Sequence, residues 1–316
     1  MKDMKVGVHV TARDAAGLVD GIVAAEKAGI DVAWMTSGGV APDPLAVFAA
    51  AAMRAERILF GTSIIPTFPR HPLAVVQGAV AVDSLAPGRL RVGVGPSHKP
   101  GIEGSFGIPF VRPLEHLREY LTILRAALYD GKVDFEGKRI TAKAQLAGPT
   151  GVKVMASALR HNGFKVCGEL ADGAISWMCP LPYLRDVAVP AIAEGAAAAG
   201  REAPPLVAHV PVMVTEDKDA LYAGAQKQVS FYARVPYYSQ MFQDAGFPEA
   251  ANGEFSNRMA DAIVINGNAA TVREKLSTLQ AEYGVGELLA MPILAPGDER
   301  ASLQRVLDVL GALAKE

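Results

Sequence analysis

Residues able to bind a ligand or move a proton gather at a few points along the chain, each just after an apolar run. The clusters are His9-Val-Thr11, Thr36-Ser-Gly-Gly39, Thr62-Ser-Ile64, Gly95-Pro-Ser-His98, Ser157-Ala-Leu-Arg160 and Trp177-Met-Cys179. They are small, hydroxylated or glycine-rich, with few carboxylates. That composition suits a flat, polar, anionic cofactor better than a metal or a paired-carboxylate mechanism. His98 follows a Gly-x-Gly turn and can give or take a proton near neutral pH; read plainly, it is a histidine held by backbone hydrogen bonds. His9 ends the first apolar run, where an inward-facing ring would lie over a pocket floor. Arg160 stands where a strand hands over to a helix, whose free N–H groups and the guanidinium together could hold a phosphate; the plain reading is a solvated surface arginine. His71, beside Pro72, reads as structural.

Other chemistries lack their motifs. The chain carries no Gly-x-Ser-x-Gly elbow and no P-loop, and its Gly93-Val-Gly95 pair lacks the third glycine of a dinucleotide fingerprint. His9, His71, His98, His116, His161 and His209 show no metal-ligand spacing, so no metal site is expected.

The elements that must position these clusters alternate strand and helix. Strands are predicted at 6–10, 31–35, 58–65, 90–95, 152–157, 174–178, 206–215 and 287–292, with a further short one at 262–265. Helices are predicted at 14–28, 44–54, 73–85, 184–199, from about 217, at 271–283 and at the end of the chain. The clearest helix carries Leu114, Leu117, Leu121, Leu124 and Leu128, which form one apolar stripe. A small hairpin is expected at 133–141. The third strand runs from Ile58 into Pro66, Pro69 and Pro72, which cannot extend a central strand. Residues 235–261 break the rhythm with Pro236, Tyr237, Tyr238, Phe242 and Phe255, and read as a lid over a site or as a packing loop. The alternation predicts an α/β fold, a (β/α)8 TIM barrel with insertions, in one domain over 1–316.

Bulk properties fit that reading. Half the 316 residues are hydrophobic, and the formal net charge is −2, from 31 basic and 33 acidic residues. No basic tract marks a nucleic-acid or membrane partner. Two cysteines are too few for a disulfide scaffold, residues 1–6 show no signal-peptide core, and no apolar stretch reaches membrane-spanning length; the expected compartment is the cytoplasm. Alanine-rich helices around 46–52 and 73–82 offer a homodimer surface.

With these residues in place, the chain resembles the bacterial luciferase-like family, and more narrowly its coenzyme F420-dependent oxidoreductases. The carriers are Phe60-Gly-Thr-Ser-Ile-Ile-Pro-Thr-Phe-Pro-Arg-His-Pro72, Val92-Gly-Val-Gly-Pro-Ser-His98, Arg112-Pro-Leu-Glu-His-Leu-Arg-Glu-Tyr-Leu121 and Gly168-Glu-Leu-Ala-Asp-Gly173. The resemblance implies a cofactor at the carboxyl ends of the barrel strands, a cis peptide at Ser63–Ile64 behind its ring, and its phosphate against Ser157–Arg160. The candidate cofactor-binding residues are Thr36, Ser37, Thr62, Ser63, Ile64, Gly95, Ser97, Ser157, Ala158, Leu159, Arg160 and Trp177, and the candidate catalytic residues are His98 and His9. Two departures stand out. Family members often carry glycine near Leu159-Arg160, and related sugar-phosphate dehydrogenases carry an Asp-His pair where this chain has Ser37-Gly38, with acids where Arg13 and His98 stand. The resemblance thus implies an F420-dependent hydride transfer to or from a small organic substrate. An FMN-dependent monooxygenase and a non-catalytic cofactor-binding protein are the alternatives.

Overall fold

The computed structural model describes residues 4–315; the signal-peptide reading of residues 1–3 lies outside the described residues. In chain order the strands are β1 (Lys5–His9), β2 (Val32–Met35), β3 (Leu59–Thr62), β4 (Ile65–Pro66), β5 (Leu90–Gly95), β6 (Lys132–Glu136), β7 (Thr141–Gln145), β8 (Lys153–Ser157), β9 (Ala174–Ile175), β10 (Leu206–Val214), β11 (Ile265–Gly267) and β12 (Val285–Pro292). Eight positions close a parallel barrel in the order β10-β12-β1-β2-β3-β5-β8-β9, with β9 returning to β10. β4 resumes β3 after a bulge at Ser63–Ile64, β11 lies outside against β10, and β6 and β7 form the antiparallel hairpin.

The helices between strands start where the sequence caps them. Asp14, Asp43 and Asp217 accept backbone N–H bonds at the starts of Ala15–Ala28, Pro44–Ala52 and Lys218–Val229. His71 caps Pro72–Leu85: its Nδ1 accepts from the Leu73 N–H at 3.2 Å, so Nε2 carries the proton and donates to the Thr141 carbonyl at 3.1 Å. The structural reading of His71 holds. The leucine stripe lies on Pro113–Asp130, with Leu117, Leu121, Leu124 and Leu128 buried and Leu114 left at the surface.

Several boundaries differ from the sequence reading. Residues 262–263 close a helix, Asn257–Ile263, capped by Ser256, and the strand begins only at Ile265. The strand expected over 174–178 stops at Ile175, and Met178 beyond it lies in the left-handed region at φ 59°. A helix at Lys99–Phe106, ended by Gly107 at φ 65°, had no apolar periodicity to reveal it and buries only Ile102. The stretch 184–199 opens with a wider π-type turn, Leu184–Ala188, before Val189–Ala198. The insertion is helical, with Pro236–Asp244 and a 3₁₀ turn at Pro248–Asn252.

The barrel interior is filled by Trp34, packed with Val32, Met155, Ile175, Val207 and Leu289. Its ring reaches over both neighbouring strands. A methyl at Gly61 would stand 2.3 Å from the ring and one at Gly7 2.6 Å from Nε1, so both glycines are required by this one side chain. An ion pair between Arg91 and Glu287 spans the interior between β5 and β12, which are not neighbours in the sheet. Burial raises the Glu287 carboxyl above its usual range, against the pull of Arg91.

Gly61→Ala is expected to lower unfolding free energy by about 1–3 kcal/mol through overpacking, and Trp34→Leu in the same chain to recover part of that loss. Urea unfolding of both variants checks it.

Candidate functional site

The strand ends and the insertion together enclose a cavity of about 680 Å³. That falls in the size range of small-molecule sites, roughly 300–1,000 Å³. Its walls include His9, Thr36, Ser37, Ser63, Ile64, Ser97, His98, Ser157, Ala158, Leu159, Arg160 and Trp177. The sequence-predicted residues thus converge, with two exceptions. Thr62 is fully buried and donates to the Gly93 carbonyl at 2.7 Å while accepting the Gly93 N–H at 2.8 Å; its hydroxyl is an inter-strand clamp. Gly95 is a point of close approach: a methyl there would stand 2.0 Å from Ser157 Oγ. Gly93 likewise leaves room for the Thr62 carbonyl, 2.1 Å from where a methyl would be. The Gly-x-Gly pair therefore serves strand packing.

The end of β2 holds the bulge of β3. Ser63 N–H donates to the Met35 carbonyl at 2.8 Å, Ser37 N–H to the Ile64 carbonyl at 3.2 Å, and Thr36 Oγ1 to the Ser63 carbonyl at 2.8 Å. The Ser63–Ile64 peptide is cis, as the resemblance implies. Thr36 has one hydroxyl proton and gives it to Ser63. His9 Nε2, 3.0 Å from Thr36 Oγ1, must then be the donor, which leaves His9 Nδ1 as a bare acceptor. Nδ1 is buried with no partner, as are Ser63 Oγ and His209 Nε2 on the same cavity walls. Buried polar atoms without partners inside a cavity fit a bound polar group that would complete them.

Burial lowers the His9 pKa to about 4. His209 packs 5.6 Å from His9 and 4.1 Å from Trp177, centroid to centroid, and is pushed well below the usual histidine range by burial and by His9. His98 is lowered by burial too, and presents its ring edge-to-face to Tyr232 and Tyr238 at 5.9 and 5.4 Å. Ser97, at φ 63°, turns the chain so that His98 enters the cavity. All three imidazoles are neutral at pH 7.

At the other end, Arg160 occupies the N-cap position of His161–Leu170 without a capping side-chain bond. Its Nε donates to Asp244 of the insertion at 3.0 Å, leaving the terminal nitrogens for a ligand. No glycine stands at Leu159-Arg160, but Gly163, in the first turn of the helix, lies on the cavity wall.

Sequence reasoning missed His209, Tyr183, Tyr232 and Asp244 as cavity residues. His209 was legible in principle, as the one ionisable side chain in the otherwise apolar, wholly buried β10. Tyr183, Tyr232 and Asp244 lie on irregular or inserted segments, whose paths no periodicity fixes. Cys167 and Cys179 are free and buried, with burial pushing both thiols up to about 12. Among the described residues no cluster of three or more His, Cys, Asp or Glu is placed to hold a metal, and no helix is long and apolar enough to cross a membrane.

A closed parallel barrel with a ligand-sized cavity at the carboxyl ends of its strands has that cavity where sites of this fold lie. The family profile of luciferase-like monooxygenases matches residues 4–286, and the chain belongs to that family. The F420-dependent glucose-6-phosphate dehydrogenase of Nocardia farcinica is 31% identical over 239 residues, 69% of this chain and 71% of that one. Among solved structures, coenzyme F420-dependent tetrahydromethanopterin reductase from Methanopyrus kandleri superposes with a TM-score of 0.79 at 22% identity, covering 98% of this chain and 97% of that one. The oxygenating constituent of 3,6-diketocamphane monooxygenase from Pseudomonas putida, in complex with FMN, superposes at 0.75 and 19% identity, covering 99% and 97%. The shared fold thus serves proteins named for either cofactor.

A histidine whose folded pKa lies below its unfolded value contributes fully above about pH 6.5 and loses that contribution as pH falls toward 4. His9 and His209 both act in this sense. His9→Gln is expected to flatten the acid limb of stability between pH 6.5 and 4. The difference should be about 1–3 kcal/mol, reduced by solvent reaching the ring from the cavity. Urea unfolding at a series of pH values checks it.

Proposed function

We propose that this chain is an F420-dependent oxidoreductase that moves a hydride between the deazaflavin and a small organic substrate. The observation that carries the reading is a single cavity with two unlike ends: the bulge held by Thr36 on one side, and the uncapped helix start with Arg160 on the other. The similarity to the F420-dependent glucose-6-phosphate dehydrogenase of Nocardia farcinica supports it.

When bound, the deazaflavin supplies the two-electron donor or acceptor. The protein binds, orients and manages one proton. Ser63 and Ile64 would back the ring, with Thr36, Ser37, Ser97 and Trp177 around it, and the Ser157–Gly163 turn and Arg160 would hold the phosphate. Asp244 fixes the guanidinium from the side, so that its free nitrogens meet the ligand pre-aimed. His98 handles the substrate proton, with His9 in reserve. A neutral His98 is a base: it takes the hydroxyl proton as an alcohol is oxidised. Because its pKa is lowered, that role persists below the ordinary histidine range and fails only in more acid solution.

Titration of the deazaflavin with purified protein tests the reading. Quenching or shifting of F420 fluorescence at micromolar concentration is expected, and its absence would sink the proposal. Arg160→Ala is expected to weaken F420 about tenfold or more, as for a lost charge-assisted bond. His98→Ala is expected to lower kcat by about 10²-fold or more, with F420 binding retained. Retention of FMN and oxygen uptake with reduced flavin would instead identify a monooxygenase.

A further inference from the structure

The charges lining the cavity are few and already committed. Among the described residues that line it, Arg160 and Asp244 pair with each other, His161 faces Glu194 at 3.1 Å, and no lysine is present. The three inner histidines are neutral. If Arg160 and the helix start take the cofactor's phosphate, no cation is left for an anionic substrate.

Away from Arg160 much of the chamber wall is apolar or aromatic, and its remaining polar side chains, among them Ser97, Ser176 and Gln228, carry no charge. Trp177 and Tyr232 meet edge-to-face at 5.6 Å, and Tyr232 contacts Tyr238 at 4.7 Å. Phe110, Leu114 and Leu117 line the wall supplied by the helix Pro113–Asp130 and the loop before it. The mouth continues in kind, with Leu114 and Tyr237 both lining the cavity and large, apolar and exposed. The polar groups available to a substrate here are neutral: burial raises both the Tyr232 and Tyr238 phenols, which stay protonated and can donate.

We infer that the substrate is an uncharged, largely apolar alcohol or carbonyl compound, seated against the aromatic cluster that Trp177, Tyr232 and Tyr238 form with His98; the inference rests on the deazaflavin reading above. An alcohol of this class would lose its C–H as hydride to the deazaflavin and its O–H proton to His98, leaving the carbonyl. The chain would then part from its relative named for glucose 6-phosphate at the substrate's charge. A phosphate dianion buried in this chamber would give up its hydration with no cation to replace it.

The two tryptophans give a binding signal that does not depend on turnover. Trp34 is sealed in the barrel, so a fluorescence change on adding ligand reports Trp177, and Trp177→Phe removes it. F420-loaded protein is titrated with cyclohexanol and, separately, with glucose 6-phosphate. Cyclohexanol is expected to saturate the signal at a concentration about tenfold or more below any response to glucose 6-phosphate. Equal or tighter binding of glucose 6-phosphate, or no saturable binding of cyclohexanol, overturns the inference. Protein that takes up no F420 refutes the deazaflavin reading instead; the same two titrations on the unloaded Arg160→Ala variant, which lacks the phosphate-holding guanidinium, then decide between the ligand classes.

Discussion

One hydroxyl proton organises the floor of the site. Thr36 directs it to the Ser63 carbonyl, and two consequences follow from that choice. The bulge after β3 is tied to the end of β2, where backbone bonds from Ser37 and to Met35 complete the seam. The His9 ring is left to donate through Nε2, which turns Nδ1 into a fixed acceptor without a protein partner. A serine could make the same bonds, but a β-branched threonine has fewer rotamers to lose and holds the geometry at lower entropic cost. Beneath this seam Trp34 fills the barrel, so the floor is rigid from below as well.

The insertion gives this general barrel its particular chamber. The carboxyl ends of the strands supply small and hydroxylated groups suited to a cofactor. The segment from the end of Lys218–Val229 through Pro236–Asp244 supplies Tyr232, Tyr237, Tyr238 and Asp244. Aromatic rings and one carboxylate thus come from the same short stretch, the rings lining the cavity and the carboxylate steadying Arg160. Polar donors that carry no charge can orient a carbonyl or hydroxyl without attracting ions.

Much of the architecture was legible because the barrel strands are apolar runs bounded by glycine and proline, and because aspartates mark helix starts. Most of the cavity-lining positions named from the sequence were legible for a related reason: the cavity opens at the ends of the barrel strands. Thr62 and Gly95 misled because a strand-end position does not say which way a side chain points, and both are absorbed by contacts between adjacent strands. The short helix Lys99–Phe106 escaped because its sequence is glycine-rich with little apolar content. Tyr232 and Asp244 escaped because a fold that folds back over its own opening leaves no periodic trace of where it lands. His209 shows the converse case, a signal present in the sequence as one imidazole in a buried apolar strand.

The shared hydroxyl also has an evolutionary side. Positions 9, 36 and 63 sit on three different strands or their ends, yet they meet at one hydroxyl group. Valine at position 36, nearly the same shape, would at once release the Ser63 carbonyl and free the His9 tautomer. Neither loss could be repaired by a change at the other site alone. Loss of the hydroxyl at position 36 should therefore be accepted only with a change at position 9, whereas position 63 offers its backbone carbonyl whatever its side chain, and a lineage that lost that hydroxyl would have had to find a new floor for its site.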